Sequence, residues 1–191
     1  MAKRKERLSP KLEAVLARLC ERLGSVTITS AAKLPYLVDV VANHALGAPI
    51  TEGTHQTWKL GVVTSEVWHY IKAGGAPNDP FTIKDRVYLG GQPDDELTPE
   101  EQAIVDFVAD LWGRLEARAL GRLTKAVNTH LDPETWGRNA PASIGEDAYA
   151  RLSPGWLAFC ERLPSLDFSD ESRWGDPIDN PAEYVKRVLG G

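Results

Sequence analysis

Trp58-Lys59-Leu60-Gly61-Val62-Val63-Thr64-Ser65-Glu66-Val67-Trp68 begins as an apolar, β-branched run and ends at helical spacing, with a glycine and two hydroxyls at the join. The alternation from His55 to Leu60 predicts a short strand. Thr64 or Ser65 is placed to accept the first free amide hydrogens of a helix that carries Val67, Trp68 and Ile71 and closes at Gly74-Gly75. Such a corner suits a catalytic turn, a phosphate cradle or a bend that exposes a binding surface.

On either side of the corner, helical signals dominate. Ser9-Pro10 opens a helix with Leu12, Val15, Leu16, Leu19 and Leu23 on one face and Gly24 as its stop. A second helix follows Thr29-Ser30, repeats Leu34, Leu37, Val38, Val41 and Ala45, and ends at Gly47. Pro35 inside it predicts a late start or a kink near Lys33. Arg86-Val87-Tyr88-Leu89 reads as another short strand, expected to pair with residues 56–60 as a hairpin with a helix between its arms. Thr98-Pro99-Glu100-Glu101 is a capping box ahead of the stripe Ile104, Phe107, Val108, Leu111 and Leu115. After a break near Gly113, Leu120, Leu123, Val127 and Leu131 mark a further helix, stopped by Asp132-Pro133. Shorter helices are expected at Trp156–Leu163 and Tyr184–Leu189.

These elements predict a mainly α fold: a helical domain over residues 1–140 with a small two- or three-stranded antiparallel β element. Residues 141–191 form an irregular acidic C-terminal extension whose short helices pack on the domain through Trp156, Phe159 and Tyr184. With 191 residues and 42% hydrophobic content, the chain can bury one well-formed core. Neither a membrane-length apolar run nor a secretory leader pattern occurs, which predicts a cytoplasmic protein. Cys20 and Cys160 match no zinc or redox spacing and are expected to be buried, reduced thiols.

Net charge is −5, with residues 1–28 at +4 and the remainder at −9. An acidic body repels a phosphate backbone, so a nucleic-acid partner is disfavoured and only the basic first arm could serve one. His44, His55, His69 and His130 have no metal-ligand spacing, and neither a nucleophile elbow nor a Gly-rich phosphate loop occurs. No catalytic residue, metal or cofactor is therefore assigned. Trp112 continues a buried stripe and reads as core, whereas Trp58 and Trp136 stand where an amphipathic ring could anchor a partner protein.

Lys33-Leu34 through Tyr36-Leu37-Val38-Asp39, Gly47-x-Pro49-Ile50-Thr51, Trp58-x-x-Gly61-x-Val63 and Val67-Trp68 follow one another in an ordered series. Leu97-Thr98-Pro99-Glu100-Glu101 and Thr129-His130 with Trp136 complete it. Over about residues 27–140 this series resembles the SocA-like, or Panacea, antitoxin domain, also seen in phage-associated GepA-type proteins. Pro35 stands where that family has a polar residue, and Val62 replaces its corner proline. The resemblance implies a toxin–antitoxin system in which the chain neutralises a cognate protein toxin by binding it. In the SocA type the antitoxin is also an adaptor that delivers its toxin to a AAA+ protease, a second implied partner. Trp58, Lys59, Val62, Val63 and Trp136 are the expected toxin contacts, with the corner presenting Lys59, Val62 and Val63 at its outside. The alternatives are a nucleic-acid-binding transcriptional regulator and an enzyme with a pocket near His69 or His130.

Overall fold

A single helix runs through the centre of the molecule, and every residue on it from Ser30 to Ala42 is buried. The computed structural model describes residues 7–128 and 140–152. Expectations for His130, Leu131, Trp136, Cys160 and the two C-terminal helices fall outside those residues. The elements in chain order are α1 (Pro10–Leu23), β1 (Val26–Thr27), α2 (Ile28–Leu46), β2 (His55–Trp58), β3 (Gly61–Thr64) and α3 (Ser65–Lys72). They continue with β4 (Phe81–Ile83), β5 (Arg86–Leu89), α4 (Pro99–Trp112), α5 (Ala117–Val127) and β6 (Ala140–Pro141). The central helix is α2, which packs on α1, α3, α4, α5 and β3. The mainly α architecture with small antiparallel sheets matches the sequence-based expectation.

Pro35 lies inside α2, and the helix neither starts late nor breaks there. Its missing amide removes one helical hydrogen bond, a local cost of roughly 3 kcal/mol. Burial of a dozen neighbouring residues on all sides of the helix outweighs that cost, as tertiary packing commonly does. The cap is Thr27, whose hydroxyl accepts from the Ser30 amide, and Gly47 ends the helix in the left-handed conformation.

The strands do not form the hairpin expected between residues 56–60 and 86–89. The described residues form two three-stranded antiparallel sheets, ordered β1-β5-β4 and β3-β2-β6. β2 pairs with β3, the segment directly after it, in the register His55↔Thr64, Gln56↔Val63, Thr57↔Val62 and Trp58↔Gly61. β5 instead joins β1 and β4. Adjacent complementary strands close the shorter loop, so the local pairing wins.

α1 and α4 run side by side in the same sense, joined by Lys11–Glu101 (2.8 Å) and by two-pronged Arg18–Asp106 and Arg22–Asp110 pairs at 2.7–2.8 Å. The capping box at Thr98 and Glu101 forms as its sequence implies. Trp112 is core, and Cys20 is buried. Burial pushes the Cys20 thiol up to about 12, which leaves it neutral and unreactive.

The β2–β3 hairpin rests on α5 by backbone contact. Neither Lys59 nor Leu60 in the turn has positive φ, so that demand falls on Gly61, at φ 110°. A Cβ on Gly61 would lie 2.5 Å from the Thr124 hydroxyl, and one on Gly121 would lie 2.5 Å from the Leu60 carbonyl. Gly121→Ala is therefore expected to lower the unfolding free energy by about 1–3 kcal/mol, and Gly61→Ala by more because its backbone is also strained. Gly90→Ala, where the nearest atom is 3.7 Å away, should move a urea midpoint little.

Candidate functional site

The site is the tip of the β2–β3 hairpin together with α3 beside it. Two buried charges on α2 hold the hairpin from beneath. Lys33, 3% exposed, donates to the carbonyls of Leu60 (2.9 Å) and Val62 (3.1 Å). From α5, the Thr124 hydroxyl accepts from the Val62 amide at 3.0 Å. The turn is thus held through its main chain while its side chains stay outside.

At the other end of the hairpin, Asp39 accepts from the amides of Ile50 (2.8 Å) and Thr51 (2.9 Å), from the Thr51 hydroxyl, and from His55 Nε2 (2.7 Å). His55 Nδ1 meets the Thr64 hydroxyl at 3.0 Å. Thr64 caps no amide at the start of α3, contrary to expectation, because that contact with His55 occupies it. The Ser65 hydroxyl donates to Glu66 instead, and the Ser65 amide is satisfied by the Thr54 carbonyl. An acid, an imidazole and a hydroxyl in line resemble a nucleophile relay. Here Asp39, His55 and Thr64 are 1%, 6% and 0% exposed, so the hydroxyl faces no solvent-filled cleft and the line pins the 50–55 loop to α2 and β3. Nearby, Tyr36 donates to the Ser143 carbonyl and accepts from Asn128, which ties α2 to α5 and to the segment after β6. Among the described residues no three His, Cys, Asp or Glu side chains converge as metal ligands.

The outer face of the tip is apolar and aromatic. Leu60 is 76% exposed, the most open large hydrophobic among the described residues. Behind it Trp58, half-buried, meets Trp68 edge to face at 5.6 Å and His69 at 6.4 Å. The Lys72 ammonium sits 4.7 Å above the Trp68 ring. Contacts of these kinds contribute about 0.5–1.5 kcal/mol each and hold the rings in fixed orientations.

Of the expected contacts, Trp58 and Lys59 lie on this surface. Val62 and Val63 do not: they are 0% and 5% exposed, since β3 is covered by α2, α3 and α5 and has no outward face. Trp136 lies outside the described residues. Sequence reading missed Leu60 and Trp68, although the Trp58-x-x-Gly61 spacing that marks a tight turn would have placed Leu60 at its apex. It also missed Lys33 and Asp39. A carboxylate within Leu37-Val38-Asp39-Val40-Val41 needs buried partners, and that run was the available signal.

The fold and site define a helical domain that presents a rigidly backed hairpin tip and keeps its polar network inside. The family model described as Antitoxin SocA-like, Panacea domain, matches residues 32–128, and the chain belongs to that family. No curated protein and no solved structure matches the chain. Lys33, Asp39, Thr51 and Gly61, which are among the residues that carried the resemblance, help hold the hairpin in place, and Tyr36 ties α2 to α5. Among the described residues no helix is long and apolar enough to cross a membrane.

Burial, with Lys125 adding repulsion, lowers the Lys33 pKa from 10.5 to about 8. Between those values the unfolded chain binds more protons than the folded one, so stability rises with pH through that window. Cys20 and Tyr36, both raised mainly by burial, act in the opposite sense at high pH and cancel in a comparison of variants. Relative to Lys33→Met, the wild-type protein should gain about 3 kcal/mol between pH 7 and pH 10.5, at roughly 1.4 kcal/mol per pH unit. Urea unfolding at a series of pH values checks this, and a constant difference between the two proteins would refute it.

Proposed function

We propose that this protein is an antitoxin that neutralises a cognate protein toxin by direct, stoichiometric binding, with no catalytic step. The family membership supports the antitoxin role. The exposed Leu60, carried on a turn whose main chain is clamped by Lys33 and Thr124, is the observation that supports the hairpin tip as the contact. Interfaces draw most of their energy from a few apolar and aromatic anchors on rigid supports, because preorganised groups lose little entropy on binding. Leu60, Trp58 and Trp68 form such a set, with Lys59 and Lys72 at its rim.

The buried Asp39–His55–Thr64 line offers no reachable nucleophile, since a substrate could reach Thr64 only by opening the sheet. An enzyme with a pocket near His69 or His130 is tested by whether His69→Ala and His130→Ala leave rescue unchanged. The transcriptional-regulator reading is weakened because Lys11, Arg18 and Arg22 are engaged by carboxylates of α4 and so do not continue a basic arm. Toxin levels should stay constant during rescue if binding alone suffices, whereas adaptor action through a AAA+ protease would lower them.

The test is co-expression with the product of the adjacent reading frame, scoring growth and co-purification. The wild-type chain should rescue growth and co-purify with the toxin. Leu60→Asp should weaken binding about 30-fold or more, consistent with loss of an anchor worth at least about 2 kcal/mol, while its melting transition stays near wild type. Trp58→Ala should act in the same direction. Thr64→Val should cost about 1–3 kcal/mol of stability yet keep the rescue. Rescue without co-purification, or loss of rescue in Thr64→Val with the fold intact, would sink the binding reading.

A further inference from the structure

The hairpin tip adjoins a positively charged helix face in a chain whose net charge is −5. Gly121 touches the Leu60 carbonyl, so the side of α5 that carries residue 121 is the side against the tip. On a helix, residues three and four apart share a face, which sets Arg118 and Lys125 beside Gly121 and Arg122 one step around. Arg118 and Arg122 are exposed, and neither forms an ion pair among the described residues. Lys125 is close enough to Lys33 for their charges to repel, and Lys33 itself grips the tip.

Across β2, β3 and α5 there is no carboxylate at all. Among the described residues, Glu116 stands just before α5, Glu66 is bonded to the Thr54 amide, and Asp39 is buried in its own network. The contrast with α1 is direct, because there the cations at 11, 18 and 22 each meet an α4 carboxylate. Two exposed guanidinium groups, Arg118 and Arg122, neither in an ion pair among the described residues, beside an exposed leucine are complementary to one kind of surface.

Resting on the reading of the tip as a toxin contact, we propose that the partner segment seated here is acidic and protein in nature. Its carboxylates would meet Arg118, Arg122 and Lys59, and an apolar residue between them would cover Leu60 and Trp58. Arginine pairs two-pronged with carboxylate, and charges at the rim of an apolar contact chiefly speed association and set its salt dependence. Nucleic acid fits less well. Affinity for a phosphate backbone scales with the number of phosphates neutralised, and this face offers few cations around an apolar centre that a backbone does not use.

The full-length protein should be titrated with a fluorescein-labelled glutamate-rich peptide carrying a central Leu-Trp pair, and separately with a labelled mixed-sequence DNA duplex. We expect the peptide to bind more tightly than the duplex and to weaken as salt rises from about 50 to about 200 mM. Arg118→Glu/Arg122→Glu should weaken peptide binding about tenfold or more with melting unchanged, and Arg118→Lys/Arg122→Lys should restore most of it. Lys84→Glu, at an exposed cation of the other sheet, should leave it as it was. Equal binding by wild type and the charge-reversed protein, no binding by wild type at low salt, or tighter binding to the duplex would each overturn the proposal. So would binding seen only after Asp167, Asp170 and Glu171 are neutralised, which would assign the surface to the chain's own acidic segment. In the toxin co-expression assay, rescue that survives the arginine reversal but not Leu60→Asp would refute the acidic partner and spare direct binding. Rescue that survives both would refute the tip as the contact, and the acidic partner with it.

Discussion

Two buried charges on α2 hold the β2–β3 hairpin in place. Lys33 reaches the carbonyls at the hairpin's turn, and six residues along α2 Asp39 gathers the amides and the imidazole at its base. Burying either charge alone would be costly, and each is tolerated because main-chain groups that would otherwise lack partners supply its hydrogen bonds. The two clamps are about one hairpin length apart, which fixes both the position and the tilt of β2 and β3. The pattern of the strands thus depends on a helix. Without Lys33 the turn carbonyls would face an apolar floor, and without Asp39 the 50–55 loop would lose its anchor.

Most of the helical fold was legible in the sequence because its signals are local. Thr98 with Glu101 closes a capping box, Gly47 ends α2, and the apolar stripes of α1 and α4 become core. The errors came where a distant partner decides. Pro35 argues against a continuous helix only if its local cost is unopposed, and packing on the surrounding elements opposes it. Thr64 reads as a cap until His55 occupies its hydroxyl. The strand at 86–89 was recognised, but its partners β1 and β4 are so short that their spacing carries no signal. The site was half legible: Trp58 and Lys59 could be placed on an outer face, whereas Val62 and Val63 follow them in a strand whose both faces are covered. β-branched residues in succession mark such a strand more often than an exposed one.

Charge in this protein is sorted by element. The basic residues Lys11, Arg18 and Arg22 of α1 are spaced to meet the acids of α4 turn for turn, so those three cations are paired inside the fold. Arg118 and Arg122 of α5 form no such pairs among the described residues. A net charge summed over the chain hides this division between α1 and α5.

Holding a turn by its main chain rather than its side chains has a consequence for how such proteins diversify. The grip on the Leu60 and Val62 carbonyls and on the Val62 amide is indifferent to what projects at positions 59 and 60. Those two positions can vary at small folding cost while the framework stays constant. On the reading proposed above, a lineage built this way can change its target more readily than its architecture.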